Sequence, residues 1–404
     1  MMKNTACSLI LITASSMVFA TDPFETDGQL VPTAVFGELS HDHGEADLNE
    51  HEIIDLNLIA ESNGWTLSQA KTHRRSIKRI GFYAPKLART HPDVFVGAVA
   101  PDDWNGNPVI YIKGAVDQVL LSELNARGLD VIDSRPYSLF ELKKKQSQIH
   151  SILSDVGYKY IATSIDIREG MVKAKATRTD DVTTRPYLSV PGVVITYEDD
   201  PVAIHHGFSH GGMVAASDDF RFCTTGWTVT YQINQNASSH GVSTAGHCSE
   251  VSMIKHDGET HNAWLVREHR GFLGDMELLS LSQGGPNTAD FYASENEVRP
   301  VNTIQSVGSI VVGEPLCLYG RASNQRDCSR RVQATSMTCS FGEVVVTGNL
   351  VQMDGEIGTF GDSGGGWSWG TRAVGSHVGL CGGGSVFTPV ALFGRGIGGT
   401  VTTQ

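Results

Sequence analysis

The chain has 404 residues, of which 44 are acidic and 31 are basic, so its formal charge is −13; 40% of its residues are hydrophobic. This length and apolar content predict two or three packed units and exclude disorder as the main state of the chain. The excess of acidic residues argues against nucleic acid as a partner, because phosphate contacts depend on clustered Lys and Arg.

The two halves of the chain differ in composition. Residues 1–200, the front half, hold 11 lysines and 12 glycines, whereas residues 201–404, the back half, hold only Lys255 and 32 glycines. The Lys, Glu and Leu content of the front half is typical of helices and mixed structure. The Gly-rich back half, with its runs of Val, Thr and Ser, predicts many short strands joined by tight turns.

The first 20 residues have the pattern of a secretory signal. Lys3 precedes a run of apolar and small residues that ends at Ala20, which predicts a signal peptide over residues 1–20. A buried N-terminal helix is the alternative. Because no other stretch approaches the ~18–20 apolar residues of a membrane span, we expect a secreted product, extracellular or periplasmic, without a membrane partner.

Three segments follow in the front half. Residues 21–63 are acidic and irregular; residues 41–45 and 50–52 could bind a metal, but a solvated acidic leader is favoured. Residues 66–90 look helical. Residues 139–153 place Leu and Ile on one helical face, residues 161–167 alternate as in a strand, and residues 171–176 return after Gly170. This pattern predicts a helix packed on a hairpin, a small α+β unit.

The composition changes again near residues 200–215, where we expect a domain boundary. His205, His206 and His210 lie there and could bind a metal, but a protease-accessible linker is the favoured interpretation. Apart from Cys7 in the signal, the cysteines all lie in the back half: Cys223, Cys248, Cys317, Cys328, Cys339 and Cys381. Six cysteines in an exported chain, without a Cys-x-x-Cys pair, predict three disulfides and no metal or other cofactor.

Two motifs carry chemistry. Residues 244–248 read Thr-Ala-Gly-His-Cys, with His247, and residues 361–365 read Gly-Asp-Ser-Gly-Gly, with Ser363. A serine nucleophile needs an imidazole base and a carboxylate to orient that base. Glycines beside the serine allow backbone N–H groups to turn toward the reacting carbonyl oxygen. Each such donor contributes about 3 kcal/mol of transition-state stabilisation. An α/β-hydrolase is excluded, because its acid follows the serine and residues 364–404 contain no Asp or Glu.

Together these motifs resemble the chymotrypsin-like serine proteases. Residues 317–328, a short Cys-x-x-Gly-x7-Cys loop, and the long segment before the motifs are similar to the bacterial branch that includes alpha-lytic protease and the streptogrisins. The resemblance implies an all-β catalytic domain of two six-stranded antiparallel β-barrels over residues 206–404. It also implies an α+β pro-region over residues 21–205, with a boundary between 183 and 215.

The resemblance assigns roles to particular residues. His247 is the general base, Ser363 the nucleophile, and Asp275, just before an apolar strand, the triad acid; Asp257 and Asp290 are the competing carboxylates. The amides of Gly361 and Ser363 are expected to form the oxyanion hole, and Asp362 is expected to be buried and structural. The implied disulfides are Cys223–Cys248, Cys317–Cys328 and Cys339–Cys381. The last pair departs from the family, whose partner cysteine usually precedes the Gly-Asp-Ser motif.

The resemblance also suggests a substrate pocket. Ile357 is expected at its base, Phe360 beside it, and Ser376, His377 and Val378 on one wall, with Ser376 similar to the serine that supports the triad Asp. Without an acid at the base, cleavage after Lys or Arg is disfavoured. A pocket for small or medium apolar residues is the main expectation, and a glutamate-specific pocket that uses His377 is the alternative.

These features predict a secreted serine endopeptidase made as a zymogen and acting as a monomer. Its partners are expected to be protein or peptide substrates and its own pro-region, as a folding aid or inhibitor. Two alternatives stay open at this point. The chain could be a catalytically inactive binding protein of the same shape, or residues 21–200 could be a binding domain that is never removed.

Overall fold

The structure, a computed structural model, describes residues 48–177, 188–198, 213–216, 222–235, 237–248, 251–256, 259–282, 288–341 and 344–404. Strands predominate in it, and residues Asn49–Gln404 form one compact unit. No helix in these ranges is both long enough and apolar enough to cross a bilayer.

Several expectations concern residues outside those ranges. They are the signal peptide, the histidine and acidic residues 41–45, the cluster of His205, His206 and His210, and Asp257. The boundary between the predicted pro-region and catalytic domain also lies in an undescribed segment, residues 199–212. These expectations therefore stay predictions.

Helices occur mainly in the front half. They are α1 (Glu50–Asn63), α2 (Leu67–Thr90), α3 (Gln118–Ala126) and α4 (Leu139–Asp155), and α5 (Phe393–Gly396) lies near the C-terminus. The expectation of an irregular leader is wrong for residues 50–63. Asn49 and Glu52 form a capping box that starts α1, and Leu56 and Ile59 bury its inner face. The acidic composition of this segment favoured a solvated leader, although the capping box is a local helix signal.

The front half also contributes six strands: β1 (Phe95–Val99), β2 (Val109–Lys113), β3 (Asp130–Arg135), β4 (Tyr160–Asp166), β5 (Met171–Thr177) and β6 (Val193–Glu198). Strands β1, β2 and β3 form a separate three-stranded sheet. Helix α4 and the antiparallel pair β4–β5 are the expected helix and hairpin, and Leu142, Ile149 and Leu153 of α4 pack on Ile161 and Ile165 of β4 in one core.

The first sheet of the back half has eight strands. They are β7 (Val214–Ala216), β8 (Phe222–Thr224), β9 (Thr228–Asn234), β10 (Ala237–Thr244), β11 (Met253–His256), β12 (Glu259–Gly271), β13 (Gly274–Leu281) and β23 (Gly399–Val401). Their order is β23-β9-β10-β13-β12-β11-β7-β8, so β10 and β13 are neighbours at its centre. A two-stranded ribbon, β14 (Asp290–Ser294) and β15 (Glu297–Pro300), follows.

The second sheet combines both halves. Its back-half strands are β16 (Thr303–Ile304), β17 (Pro315–Gly320), β18 (Gln325–Phe341), β19 (Val344–Met353), β20 (Gly366–Trp369), β21 (Arg372–Cys381) and β22 (Gly384–Pro389). The pairings run β17-β20-β21-β22-β19-β18, and β18 pairs again with β17, so these six strands form a closed circuit.

Strand β18 also binds the front half. Met337 to Phe341 pair antiparallel with Tyr160 to Ser164 of β4, so β4, β5 and β6 extend the second sheet beyond β18. Ala162 of β4 belongs to the same buried cluster as Met337, Cys339 and Val378 of the back half. The two halves therefore share a sheet and a core, which their different compositions did not indicate.

Candidate active site

The sheet that contains β10 and β13 brings the histidine motif and Asp275 together. Strand β10 ends at Thr244, which lies opposite Glu277 of β13, and a short 3-10 helix, Gly246–Cys248, follows directly. His247 is therefore carried at the end of one strand, and Asp275 lies near the start of the neighbouring strand. Ser363 reaches them from the second sheet, in the turn just before β20.

His247 connects the other two side chains. Its Nδ1 atom is hydrogen bonded to Oδ2 of Asp275, and its Nε2 atom lies 2.9 Å from Oγ of Ser363. An ionised carboxylate accepts hydrogen bonds and donates none. The Asp275 contact therefore places the imidazole proton on Nδ1 and leaves Nε2 as the acceptor for the serine proton. This is the geometry in which an imidazole can activate a hydroxyl.

Asp275 is almost completely buried, with 1% of its surface exposed. Its backbone is fixed by Thr388, whose Oγ1 accepts from the Asp275 N–H at 3.0 Å and lies 3.2 Å from the Asp275 carbonyl oxygen, to which it donates. Oδ1 of Asp275 has no hydrogen-bond partner within the described ranges. Thr388 was missed in the sequence, because nothing near Phe-Thr-Pro indicates a contact 113 residues away.

The Ser363 turn depends on glycines with positive φ. Gly361 has φ 95° and Gly364 has φ 89°, values that side-chain-bearing residues rarely adopt. A Cβ on Gly364 would lie 2.0 Å from the Thr224 carbonyl oxygen, so the turn also needs the space. Thr224 secures it from the other side: its N–H donates to the Ser363 carbonyl at 2.8 Å and its Oγ1 donates to the Gly361 carbonyl at 2.7 Å.

Asp362 is fully buried and accepts three backbone hydrogen bonds, from Ala322 at 2.8 Å, Ser323 at 3.1 Å and Thr359 at 2.8 Å. Burial raises the pKa of its carboxyl above the ordinary value, although the backbone donors oppose this effect. The carboxylate joins the short disulfide loop to the Ser363 turn and does not contact His247 in the described contacts. Its position fits the expected structural role.

The expected pocket wall lies beside the Ser363 turn. Val378 O accepts from Ser363 Oγ at 3.3 Å, and the His377 carbonyl accepts from the Gly364 N–H at 2.7 Å. Ile357 is buried and is bonded through both backbone groups to Ser385 Oγ, at 2.9 and 2.7 Å. Phe360 is 38% exposed.

Ser376 has a different partner from the one that the resemblance implied. Its Oγ donates to the Gly364 carbonyl at 3.1 Å, and Thr388 is the hydroxyl that contacts the Asp275 backbone. The physical reason is the register of β20 and β21, in which Ser376 lies opposite Gly366, close to the Ser363 turn. Ser376 therefore supports the serine turn rather than the aspartate.

His377 is 2% exposed and packs among aromatic rings. Its Nδ1 accepts a hydrogen bond of 3.3 Å from Nε1 of Trp367, and Trp367 stacks on Phe387 at 5.2 Å between ring centroids. Because indole N–H groups only donate, Nδ1 of His377 carries no proton in this contact, and the neutral ring has its proton on Nε2.

The structure contains three disulfides, and they join the pairs that the resemblance implied: Cys223–Cys248, Cys317–Cys328 and Cys339–Cys381. The first fixes the residue next to His247 to β8. The third lies in the buried cluster that contains Val378, a residue of the expected pocket wall. Asp55 has an oxygen within 4.8 Å of the Cys317 and Cys328 sulfurs, but sulfurs joined in a disulfide are not thiolate ligands for a metal.

Two further carboxylates, the competing Asp290 and the neighbouring Glu277, do not contact His247 in the described part of the chain. Asp290 accepts from Nε2 of Gln404 at 3.1 Å and has no described contact with His247. Glu277, two residues after Asp275, is 1% exposed, and its Oε2 has no hydrogen-bond partner in the described part of the chain. Burial raises the pKa of Glu277 to about 8, helped by the nearby Glu268 and Asp275 carboxylates.

Comparison with known proteins gave matches among solved structures alone: no protein-family model matches the chain, and no curated protein matches it. Thermobifida fusca protease A is 22% identical, over 48% of this chain and 98% of its own, with a TM-score of 0.37. A Nocardiopsis protease is 20% identical, over 50% of this chain and 99% of its own, also with a TM-score of 0.37.

A third similar structure is described as a glutamic acid specific serine protease that uses a histidine triad in substrate binding. It is 20% identical over 48% of this chain and 99% of its own, with a TM-score of 0.37. The chain is similar to bacterial chymotrypsin-like serine proteases over about half of its length.

Proposed function

We propose that the chain is a secreted serine endopeptidase, made as a zymogen, that cleaves peptide bonds through an acyl-enzyme. The observation that carries the proposal is His247, hydrogen bonded to Asp275 on one side and 2.9 Å from Ser363 Oγ on the other. A buried carboxylate, an imidazole and a serine in this order are the groups that serine acyl transfer requires. A double β-barrel, with the site between the barrels, is the architecture that we propose for residues 206–404.

The mechanism follows from this hydrogen-bond chain. Ser363 Oγ attacks the carbonyl carbon of the peptide while its proton passes to Nε2 of His247. Asp275 stabilises the imidazolium through Nδ1. The C–N bond then breaks, the amine leaves with the proton from Nε2, and water attacks the acyl-enzyme with His247 again as the base. Ser363 is regenerated with its proton.

The oxyanion of the tetrahedral intermediate needs preorganised donors. The amides of Gly361 and Ser363 have no hydrogen-bond acceptor among the residues that the structure describes. Both lie in the turn that Thr224, Asp362 and Gly364 hold in place. We therefore assign them to the oxyanion hole, where a single donor contributes about 3 kcal/mol to transition-state stabilisation.

Replacing Ser363 tests the proposal. We expect Ser363→Ala to abolish hydrolysis of a mixed peptide library and labelling by a fluorophosphonate, because the change removes the nucleophilic oxygen. The protein should stay folded, because backbone contacts hold the turn. The parent chain, once processed, should be labelled on Ser363. A folded, processed parent that takes no label would instead support the inactive binding protein.

The pocket supports cleavage after small or medium apolar residues. Ile357 and Val378 are apolar residues of the proposed pocket, and Val378 O lies 3.3 Å from Ser363 Oγ. The alternative is a glutamate-specific endopeptidase that uses His377, whose Nδ1 atom accepts a hydrogen bond from Nε1 of Trp367. The residue before each cleaved bond in the peptide library distinguishes the two.

The front half is proposed to be a pro-region. Its strand β4 pairs with β18 and extends the second sheet, and Ala162 lies in the same buried cluster as Val378 of the proposed pocket wall, which suits a segment that assists folding. N-terminal sequencing of the secreted protein tests this interpretation. We expect a new N-terminus between residues 183 and 215; an N-terminus near residue 21 would show that residues 21–200 are a permanent domain.

A further inference from the structure

Helix α1 inserts a buried carboxylate into the back half. Asp55 is fully buried, and its carboxylate accepts four hydrogen bonds from three residues of the back half. Arg326 donates through Nε at 2.8 Å and Nη2 at 2.7 Å, Arg299 donates through Nη1 at 3.0 Å, and the Gly370 N–H donates at 2.7 Å. The Arg326 contact is bidentate, the strong and directional form of a guanidinium–carboxylate pair.

The groups around Asp55 are built from three separate elements. Arg299 lies on β15, Arg326 on β18, and Gly370 between β20 and β21. They are linked to one another without Asp55: Arg299 Nη1 lies 3.3 Å from the Gly370 carbonyl oxygen, and Arg326 Nη2 lies 3.0 Å from Oγ of Ser368. These two contacts lie within the back half, so they link its three elements to one another independently of Asp55.

The charges at this site balance only when Asp55 is present. Arg299 pairs with Glu297 at 2.7 Å and 3.1 Å, which neutralises one guanidinium. The other guanidinium, on Arg326, is 4% exposed at its side chain and has Asp55 as its described carboxylate partner. Although burial opposes the effect, Arg326 and Arg299 hold the pKa of Asp55 below its ordinary value, so the carboxylate is charged at neutral pH.

The fit of α1 around Asp55 is close. Gly370 has φ 57°, and a Cβ there would lie 2.5 Å from Cγ of Glu52, so this site needs glycine for both backbone and space. Glu52 accepts from Nε1 of Trp369 at 3.2 Å, and His51 lies 3.2 Å from Glu297. The helix thus makes contacts on both sides of Asp55, in addition to the strand pairing between β4 and β18.

We propose that Arg299, Arg326 and the Gly370 amide form a carboxylate receptor on the back half, and that Asp55 of α1 retains the front half there after the connecting segment has been cut. The cut is part of the proposed zymogen processing, and in that respect the inference depends on the proposed function. If Asp55 loses its charge while α1 stays bound, Arg326 is a buried guanidinium without a compensating carboxylate, which is costly and weakens the bound state. Retention therefore depends on Asp55 and not on the β4–β18 pairing alone.

The test separates retention from catalysis. The full chain carries Ser363→Ala and a recognition site for a sequence-specific protease, inserted within residues 199–212. Added protease cuts the chain at this site. Dissociation of the two fragments is then followed by size-exclusion chromatography and by a fluorescent label. Because the variant cannot cut itself, failure of the proposed activity leaves this measurement unaffected. Asp55→Asn, which preserves size and removes the charge, is compared with Glu61→Gln on the exposed side of α1.

We expect the parent fragments to stay together, Glu61→Gln to behave like the parent, and Asp55→Asn to increase the dissociation rate at least about 100-fold. Equal dissociation rates for Asp55→Asn and the parent would overturn the proposal and assign retention to the strand pairing. Circular dichroism before the cut checks folding. If Asp55→Asn does not fold, Arg326→Lys is measured instead, because it retains the charge but loses the bidentate geometry. We expect its fragments to dissociate faster than those of the parent. An unchanged dissociation rate would contradict the carboxylate receptor.

Discussion

Glu277 and Asp275 lie on the same face of β13, since they are two residues apart on a strand. The two carboxylates differ in their contacts. Asp275 is bonded to His247, whereas Glu277 has no described contact with His247, and burial raises the pKa of Glu277 to about 8. Burial thus favours the neutral form of Glu277, and Asp275 is the carboxylate that contacts His247.

Replacing Glu277 is expected to change how stability depends on pH. Between pH 4.5 and about 8, the folded chain holds this proton more tightly than the unfolded chain, so the free energy of unfolding falls as pH rises, by about 1.4 kcal/mol per unit. Glu277→Gln stays neutral. On the Ser363→Ala background, it should match the parent near pH 5 and be more stable by about 3 kcal/mol near pH 8.

Thermal unfolding across this pH range measures the difference. Glu259→Gln is the control, because the Glu259 side chain is 79% exposed on the neighbouring strand β12 and should not alter the pH dependence. A Glu277→Gln variant that differs from the parent by the same amount at pH 5 and pH 8 would show that this carboxyl is ionised throughout, contrary to the expectation.

At the scale of elements, the turn before β20 depends on glycine for two separable reasons. Gly364 has φ 89° and Gly383, in the turn between β21 and β22, has φ 92°, so alanine meets similar backbone strain at both. The space differs: a Cβ on Gly364 would lie 2.0 Å from Thr224 O, whereas a Cβ on Gly383 would find its nearest atom 3.8 Å away, on Lys175.

This pair of glycines gives a matched comparison. We expect Gly383→Ala to cost about 1–2 kcal/mol of stability and to leave activity intact, because it adds backbone strain alone. Gly364→Ala should cost about 3 kcal/mol or more and prevent fluorophosphonate labelling of Ser363, since the turn must move away from β8. Thermal unfolding and labelling measure both effects. Similar losses for the two variants would mean that backbone conformation, and not the contact with Thr224, decides the turn.

Local signals predicted the local elements and the chemical groups. Helix α4 and strands β4 and β5 follow from periodicity, and His247 and Ser363 follow from short motifs whose residue types the chemistry requires. Contacts distant in the sequence had no such signal. Thr388 beside Asp275 and Asp55 beside Arg326 depend on strand register and helix docking, which no local pattern encodes.

At the scale of the whole molecule, the front half supplies part of the structure that supports the candidate site. Ala162 of β4 lies opposite Cys339 of β18 and packs in the cluster that contains Cys381 and Val378, and Val378 O accepts a hydrogen bond from Ser363. A series of contacts therefore connects β4 to Ser363 through one strand pair, one disulfide and the proposed pocket wall.

A back half produced without the front half should therefore fold poorly. Without β4, residues 337–341 of β18 lose their backbone partners, and the buried cluster around Cys339 loses Ala162. We expect residues 206–404 to give little protein that is labelled on Ser363 when refolded alone, and residues 21–205 added in trans to increase the yield at least about tenfold.

Ala162→Pro in the added fragment should remove the increase, because proline cannot donate to the strand ladder, whereas Ala162→Ser should retain it. Labelled protein measured over time decides between these outcomes, and an equal yield with Ala162→Pro and the parent fragment would contradict a role for the β4–β18 pairing in folding.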